Sequence, residues 1–171
     1  MQKSLGKPGG ELHRKRRMRK TGMKSIHVSI RDQRLTLKEN ETPIRSYPVS
    51  TSRFGVGTEE GSMKTPTGRF CVAKKIGDEM PSGTIFQSRV ALKTGDPLPP
   101  TDDLVMSRIL WLAGLDEQNA NTGGRFIYIH GTKHEGKIGT AASCGCVRMR
   151  NADVIELFDL VEEGAPVVIE Q

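Results

Sequence analysis

A mainly β domain with one helix near its C-terminal end is the fold class the sequence predicts, and three observations carry it. From Ser25 onward, short runs alternate apolar and polar residues, the period of a half-buried strand. Glycine and proline, 19 and 9 of 171 residues, break those runs so often that few helices of ordinary length fit between them. Only residues 151–161 show a sustained helical period.

Residues 26–30 and 34–38 flank Arg31-Asp32-Gln33 and read as a hairpin. Residues 44–50 follow as a strand, placed at a sheet edge by Pro48, which has no N–H to donate. Gly55-Val56-Gly57-Thr58 is a loop, and Pro66 with Gly68 makes a tight turn before a strand at 69–74. Residues 77–100 are rich in Gly, Pro and polar side chains and read as one long loop, a length usually functional or mobile. Residues 102–112 fit a short helix or a strand, with 107–112 expected as strand, and 116–124 is a loop. Residues 125–130 read as a strand ending at Gly131. The helix at 151–161 has Asn151 as its expected N-cap, Asp153 near its positive end, and an apolar face of Val154, Leu157, Phe158 and Val161. Gly164 stops it, and residues 166–169 close the chain as a strand.

With 35% hydrophobic and 27% charged residues, this is the composition of one ordinary globular domain, expected over residues 25–171. No apolar run approaches the roughly 18 residues of a membrane span. One Trp and 5% aromatics leave little for stacking bases, so no specific nucleic-acid partner is expected. The net charge of +6 is uneven: residues 1–24 hold nine basic residues against Glu11, leaving the remainder at −2. A solvated basic leader is expected there, with an anionic wall polymer as its candidate partner by counterion release. It lacks the apolar segment of roughly 7–15 residues that marks a signal peptide.

Three cysteines make no disulfide framework, and Cys71 is expected in the core. The chemistry concentrates in Ile129-His130-Gly131-Thr132 and Ser143-Cys144-Gly145-Cys146-Val147-Arg148-Met149. A thiol of ordinary pKa, about 8.5, is only a few per cent thiolate at neutral pH. A neighbouring imidazole takes its proton and holds a thiolate–imidazolium pair. His130 ends a strand that aims it at a cleft, and a turn at Gly145 points backbone amides at one oxygen, as in an oxyanion hole. Arg148 has a second reading as the partner of an acid on the last helix. The rival chemistry is zinc held by His130, His134, Cys144 and Cys146. Cys-x-Cys is tighter than the usual Cys-x2-Cys knuckle, and that weakens it.

The order Ile-Tyr-Ile-His-Gly-Thr132, Ser-x-Gly-Cys-Val-Arg-Met149, Asn-x-Asp-Val-Ile-Glu-Leu-Phe158 and Gly-x-Pro-Val-Val-Ile169 resembles the catalytic domain of the L,D-transpeptidases, the YkuD type. Tyr-Pro-Val-Ser50 and Lys-Thr-Pro-Thr-Gly-Arg-Phe70 extend the resemblance to about residues 25–170. It implies a β-sandwich of mixed strands, with Cys146 as nucleophile and His130 as base, oriented by the Gly131 carbonyl. It gives Arg148 to a substrate carboxylate, and the amides around Cys146, with Gly145, to the oxyanion hole; Ser143 matches the opening residue of the motif. Cys144 stands where many members have His, which puts any second proton relay in doubt.

The implied reaction attacks a peptidoglycan tetrapeptide stem at its third residue, releases D-Ala and forms 3–3 cross-links through a thioester, without a cofactor. The implied location is the cell envelope, and carbapenems are expected to acylate the nucleophile. An L,D-carboxypeptidase using water as acceptor, or a catalytically silent wall-binding module, stays open.

Overall fold

The structure, a computed structural model, describes residues 22–171. The expected leader therefore lies outside the described residues up to position 21, and Lys24 already belongs to the first strand. Strands β1 (Lys24–Ser29) and β2 (Arg34–Glu39) form the expected hairpin. Its turn closes by a bond from the Gln33 N–H to the Ile30 carbonyl, 3.2 Å, with Gln33 at φ +47°. Alternation buries Ile26, Val28, Leu35 and Leu37 on one face. Strand β3 (Thr42–Pro48) lies beyond β2 at the end of the ladder, consistent with Pro48.

Next come β4 (Gly68–Ile76), β5 (Ile85–Gln87), β6 (Val90–Ala91) and β7 (Val105–Gly114). Then follow β8 (Tyr128–Gly131), β9 (Val147–Met149), helix α1 (Asn151–Leu160) and β10 (Pro166–Glu170). The ladder runs β3-β2-β1-β10-β4-β7-β8-β9, with the small β5–β6 hairpin also attached to β7. The β1–β10 and β8–β9 pairs are parallel and the rest antiparallel, so the strands are mixed as expected. The two ends of this path meet. The Ser50 N–H donates to the Arg148 carbonyl at 2.9 Å and the Arg148 N–H returns a bond of 2.8 Å. That closure wraps the sheet around one core, into which α1 inserts Val154, Leu157 and Phe158. Each such side chain contributes about 1.5–3 kcal/mol of burial.

Four local expectations are corrected. The loop at 77–100 contains the β5–β6 hairpin, whose turn residues Ser88 and Arg89 both take positive φ, 48° and 68°. That is the backbone of a type I′ turn, ordinarily announced by Asn-Gly. The strand expected at 125–130 begins only at Tyr128, because Phe126 sits at φ +55° and donates its N–H back to Gly123. The last long strand starts at Val105 and bulges at Ser107, φ +67°.

Asn151 is the first helical residue and not the cap, which is Arg150. Its amide is met instead by Glu135 Oε1 at 2.8 Å, and its side chain ties α1 to the Thr132 carbonyl and to Ser107 Oγ. The carboxylate of Glu135 thus does the work of the cap, at the end where the helix dipole favours negative charge.

Candidate functional site

The parallel pairing of β8 with β9 sets Ile129 against Val147 and His130 against Arg148. Successive side chains alternate across a strand, so Ile129 and Val147 face the core. Tyr128, His130, Cys146 and Arg148 then share the opposite face. Cys146, immediately before β9, is half-buried and packs against a cluster of Phe86, Ile109 and Tyr128. Its sulfur accepts the Tyr128 N–H at 3.3 Å, and its thiol donates to the Phe126 carbonyl at 3.5 Å. Phe126, which offers that carbonyl, sits at φ +55°. Burial pushes the thiol pKa up to about 12; Asp103 and Cys144 add to the rise, while the Tyr128 N–H and Arg148 oppose it.

The turn before Cys146 is fastened at three points. The Ser143 hydroxyl donates to the Cys146 carbonyl at 2.6 Å and accepts the Gly145 N–H at 3.2 Å, while Thr65 Oγ1 donates to the Gly145 carbonyl at 2.9 Å. Gly145 takes φ +125°, a conformation side chains rarely tolerate. Of three consecutive amides, that of Cys144 goes to Asp103 Oδ2 at 3.2 Å and that of Gly145 to Ser143. Of these three, the Cys146 amide has no hydrogen-bond partner among the described residues.

His130 is 1% exposed, and its Nδ1 lies 2.6 Å from the Gly131 carbonyl. A carbonyl only accepts, so Nδ1 carries the proton and Nε2 is left as the acceptor. Burial lowers the imidazole pKa, assisted by Arg148 and opposed by Asp103 and the Gly131 bond. The raised thiol and the lowered imidazole both favour the neutral forms over the thiolate–imidazolium pair. No hydrogen bond joins the two among the described residues, the thiol being turned to Phe126.

Arg148 does not present an open fork to the cleft. It is buried, with Nη2 at 2.7 Å from Asp103 Oδ2, an acid on the segment before β7 and not on the last helix. The contact is single-pronged, since Asp103 Oδ1 and Arg148 Nε are buried without partners. Asp103 thereby holds both β9 and the Cys144 amide. Asp103→Ala is expected to destabilise the fold by about 3–5 kcal/mol, because it strands a buried guanidinium. Urea unfolding measures it, and a loss below about 1 kcal/mol, within the range of an exposed pair, removes Asp103 as the anchor.

The four zinc-type residues are not brought together. His134 turns its Nε2 to the Asp102 carbonyl, 2.9 Å, and carboxylate, 3.0 Å. Among the described residues no three His, Cys, Asp or Glu side chains converge on a point where a metal ion fits. All three cysteines are free, and Cys71 is half-buried on β4, not in the core. Cys144 lines a cleft of about 330 Å³ with Glu60, Met63, Arg125, Phe126 and Ile127. Sequence reasoning missed Asp103 and Phe126. The first is 45 positions from its arginine, and the second is marked only by backbone geometry.

A model of the L,D-transpeptidase catalytic domain matches residues 23–169. The Bacillus subtilis (strain 168) protein YkuD is 30% identical over 144 residues, covering 84% of this chain and 64% of its own length. This chain therefore spans somewhat under two thirds of that relative. A solved L,D-transpeptidase from Mycobacterium smegmatis shares the fold with a TM-score of 0.59 at 18% identity, covering 87% of this chain and 59% of that one. The L,D-transpeptidase LdtMt1, solved in complex with imipenem, has a TM-score of 0.55 at 20% identity, over 86% of this chain and 58% of that one. With a mixed β-sandwich built on these motifs and a match spanning nearly all described residues, the chain belongs to the L,D-transpeptidase catalytic-domain family.

Proposed function

We propose that this domain is a peptidoglycan L,D-transpeptidase that forms 3–3 cross-links through a thioester on Cys146. The observation that carries the reading is the common face of Cys146 and His130 on β8–β9, with Nδ1 of His130 tied to Gly131 so that Nε2 is left to accept a proton. The thiol rotates from the Phe126 carbonyl to Nε2 and gives up its proton as Sγ bonds the carbonyl carbon of the third stem residue. The oxyanion is met by the Cys146 amide. The bond to the terminal D-Ala breaks, and the proton on Nε2 passes to the leaving amine. An amine of a neighbouring stem then attacks the thioester carbon and loses its proton through His130. The carbon–sulfur bond breaks and the thiol is restored.

Because the proton passes to Nε2 during attack, the raised thiol pKa is no obstacle. Ser143 and Gly145 hold the turn, and Arg148 with Asp103 locks it to the sheet. Cys144 contributes its side chain to the substrate cleft, where no imidazole relay is available. A peptidoglycan substrate places the work in the cell envelope. The test is incubation with a tetrapeptide stem and mass spectrometry of the products. Released D-Ala with a dimer joined between third residues is the expected result. D-Ala release without dimer assigns an L,D-carboxypeptidase, and no release with no acyl-enzyme assigns a silent binding module.

A further inference from the structure

Since Arg148 is spent on Asp103, another group must recognise an anionic substrate at this face. Three other guanidiniums differ in how far their donors are used. Arg125 gives hydrogen bonds to the Gly57 and Lys64 carbonyls and to Ser62 Oγ. Arg108 gives its bonds to the Met80 and Ser107 carbonyls. Arg89, at the tip of the β5–β6 turn, donates only Nη1 to the Tyr128 hydroxyl, at 3.2 Å. Among the described residues it has no carboxylate partner. Its guanidinium lies 4.9 Å from the ring centres of both Trp111 and Phe126. Trp111 and Tyr128 are themselves packed edge-on, with ring centres 5.9 Å apart.

Aromatic rings packed against a guanidinium strip water from it and leave in-plane N–H donors for other partners. That is the geometry suited to a carboxylate. The position also fits. Tyr128 donates its N–H to Cys146 Sγ at 3.3 Å and accepts from Arg89 on its hydroxyl at 3.2 Å, so one tyrosine links the sulfur to the guanidinium. A carboxylate one residue past the attacked carbonyl is about 3.5 Å further along an extended chain, and the long arginine stem lets its head meet it there.

We infer that Arg89 is a specificity-determining residue that reads the free carboxylate of the terminal stem residue, the one that leaves; this rests on the transpeptidase reading. The turn at φ +68° carries the guanidinium to Trp111 and Phe126.

The experiment compares two tetrapeptide stems, one ending in a free carboxylate and one in a carboxamide, on the wild type, Arg89→Gln and Arg89→Lys. The readout is kcat/KM for release of the terminal residue. The wild type is expected to prefer the free acid by about 10- to 100-fold, the range of a charge-assisted hydrogen bond. Arg89→Gln is expected to reduce that preference to near unity, and Arg89→Lys to keep an intermediate preference, since it restores charge without the fork. Because the two peptides meet the same protein, a loosened hairpin lowers both rates and leaves their ratio unchanged. A ratio unaltered in Arg89→Gln overturns the assignment and leaves Arg89 as a latch for the hairpin. A wild-type protein that processes neither peptide overturns the transpeptidase reading, and this inference with it.

Discussion

Cys146→Ala is expected to abolish covalent modification by a carbapenem, while Cys144→Ala keeps one equivalent per chain. In the reaction Sγ bonds the lactam carbonyl carbon, the ring carbon–nitrogen bond opens, and the whole drug mass stays on the protein. The two cysteines are separated only by Gly145, so intact mass must discriminate between near neighbours. Structure supplies the reason they differ. Cys146 lies on the His130 face at the start of β9, with its sulfur held by the Tyr128 N–H. The tie at residue 144 is through its amide to Asp103, a bond that any side chain permits, and its thiol borders the cleft. Removing that thiol leaves the turn fastened by Ser143 and Thr65. An adduct that survives in Cys146→Ala and vanishes in Cys144→Ala would move the nucleophile two residues upstream.

What the sequence made legible follows from how local each signal is. Alternation in 26–38 and the 3.6-residue spacing of Val154, Leu157 and Phe158 are properties of neighbouring residues, and the structure repeats both. The candidate nucleophile and base were legible as motifs, because Cys146 and His130 each sit in a short run of distinctive residues, and the structure places them on one face. The hairpin at Ile85–Ala91 was not, since Ser-Arg carries no signature of a turn that needs two positive φ angles. Nor was the fate of Arg148. Its partner Asp103 follows another aspartate in a polar segment leading into β7, and only the pairing of β7 with β8 and of β8 with β9 brings them together. The same pairing explains the misplaced helix cap: Asn151 looks like a cap in isolation, but Ser107 on β7 with Thr132 and Glu135 after β8 use its side chain to anchor α1. Tertiary packing overrode a correct local preference.

His130→Gln is expected to slow acylation by about 10²- to 10⁴-fold, the usual worth of a positioned base, and to change the shape of the pH profile. In the wild type the reactive form is neutral imidazole. Its pKa is held below the ordinary histidine value chiefly by burial, so the base form persists as pH falls through about 6.5 and is lost only further into acid. The groups facing the pair are Asp103, which raises both pKa values, Arg148, which lowers both, and Cys144, which raises that of Cys146. None of them removes the thiol proton at neutral pH.

Without the imidazole, reaction must wait for thiolate formed by solvent, and the rate should climb with pH toward the thiol pKa of about 12. The wild-type profile is thus flat from mildly acidic to neutral pH, and the variant's rises steadily through the alkaline range. Rates of carbapenem acylation from pH 5 to 10, with circular dichroism to establish an unchanged fold, distinguish the two. A folded His130→Gln protein with the flat profile and parental rate would show that the proton leaves Cys146 by another route. The buried face of β8 would then owe its histidine to packing and to the bond with Gly131.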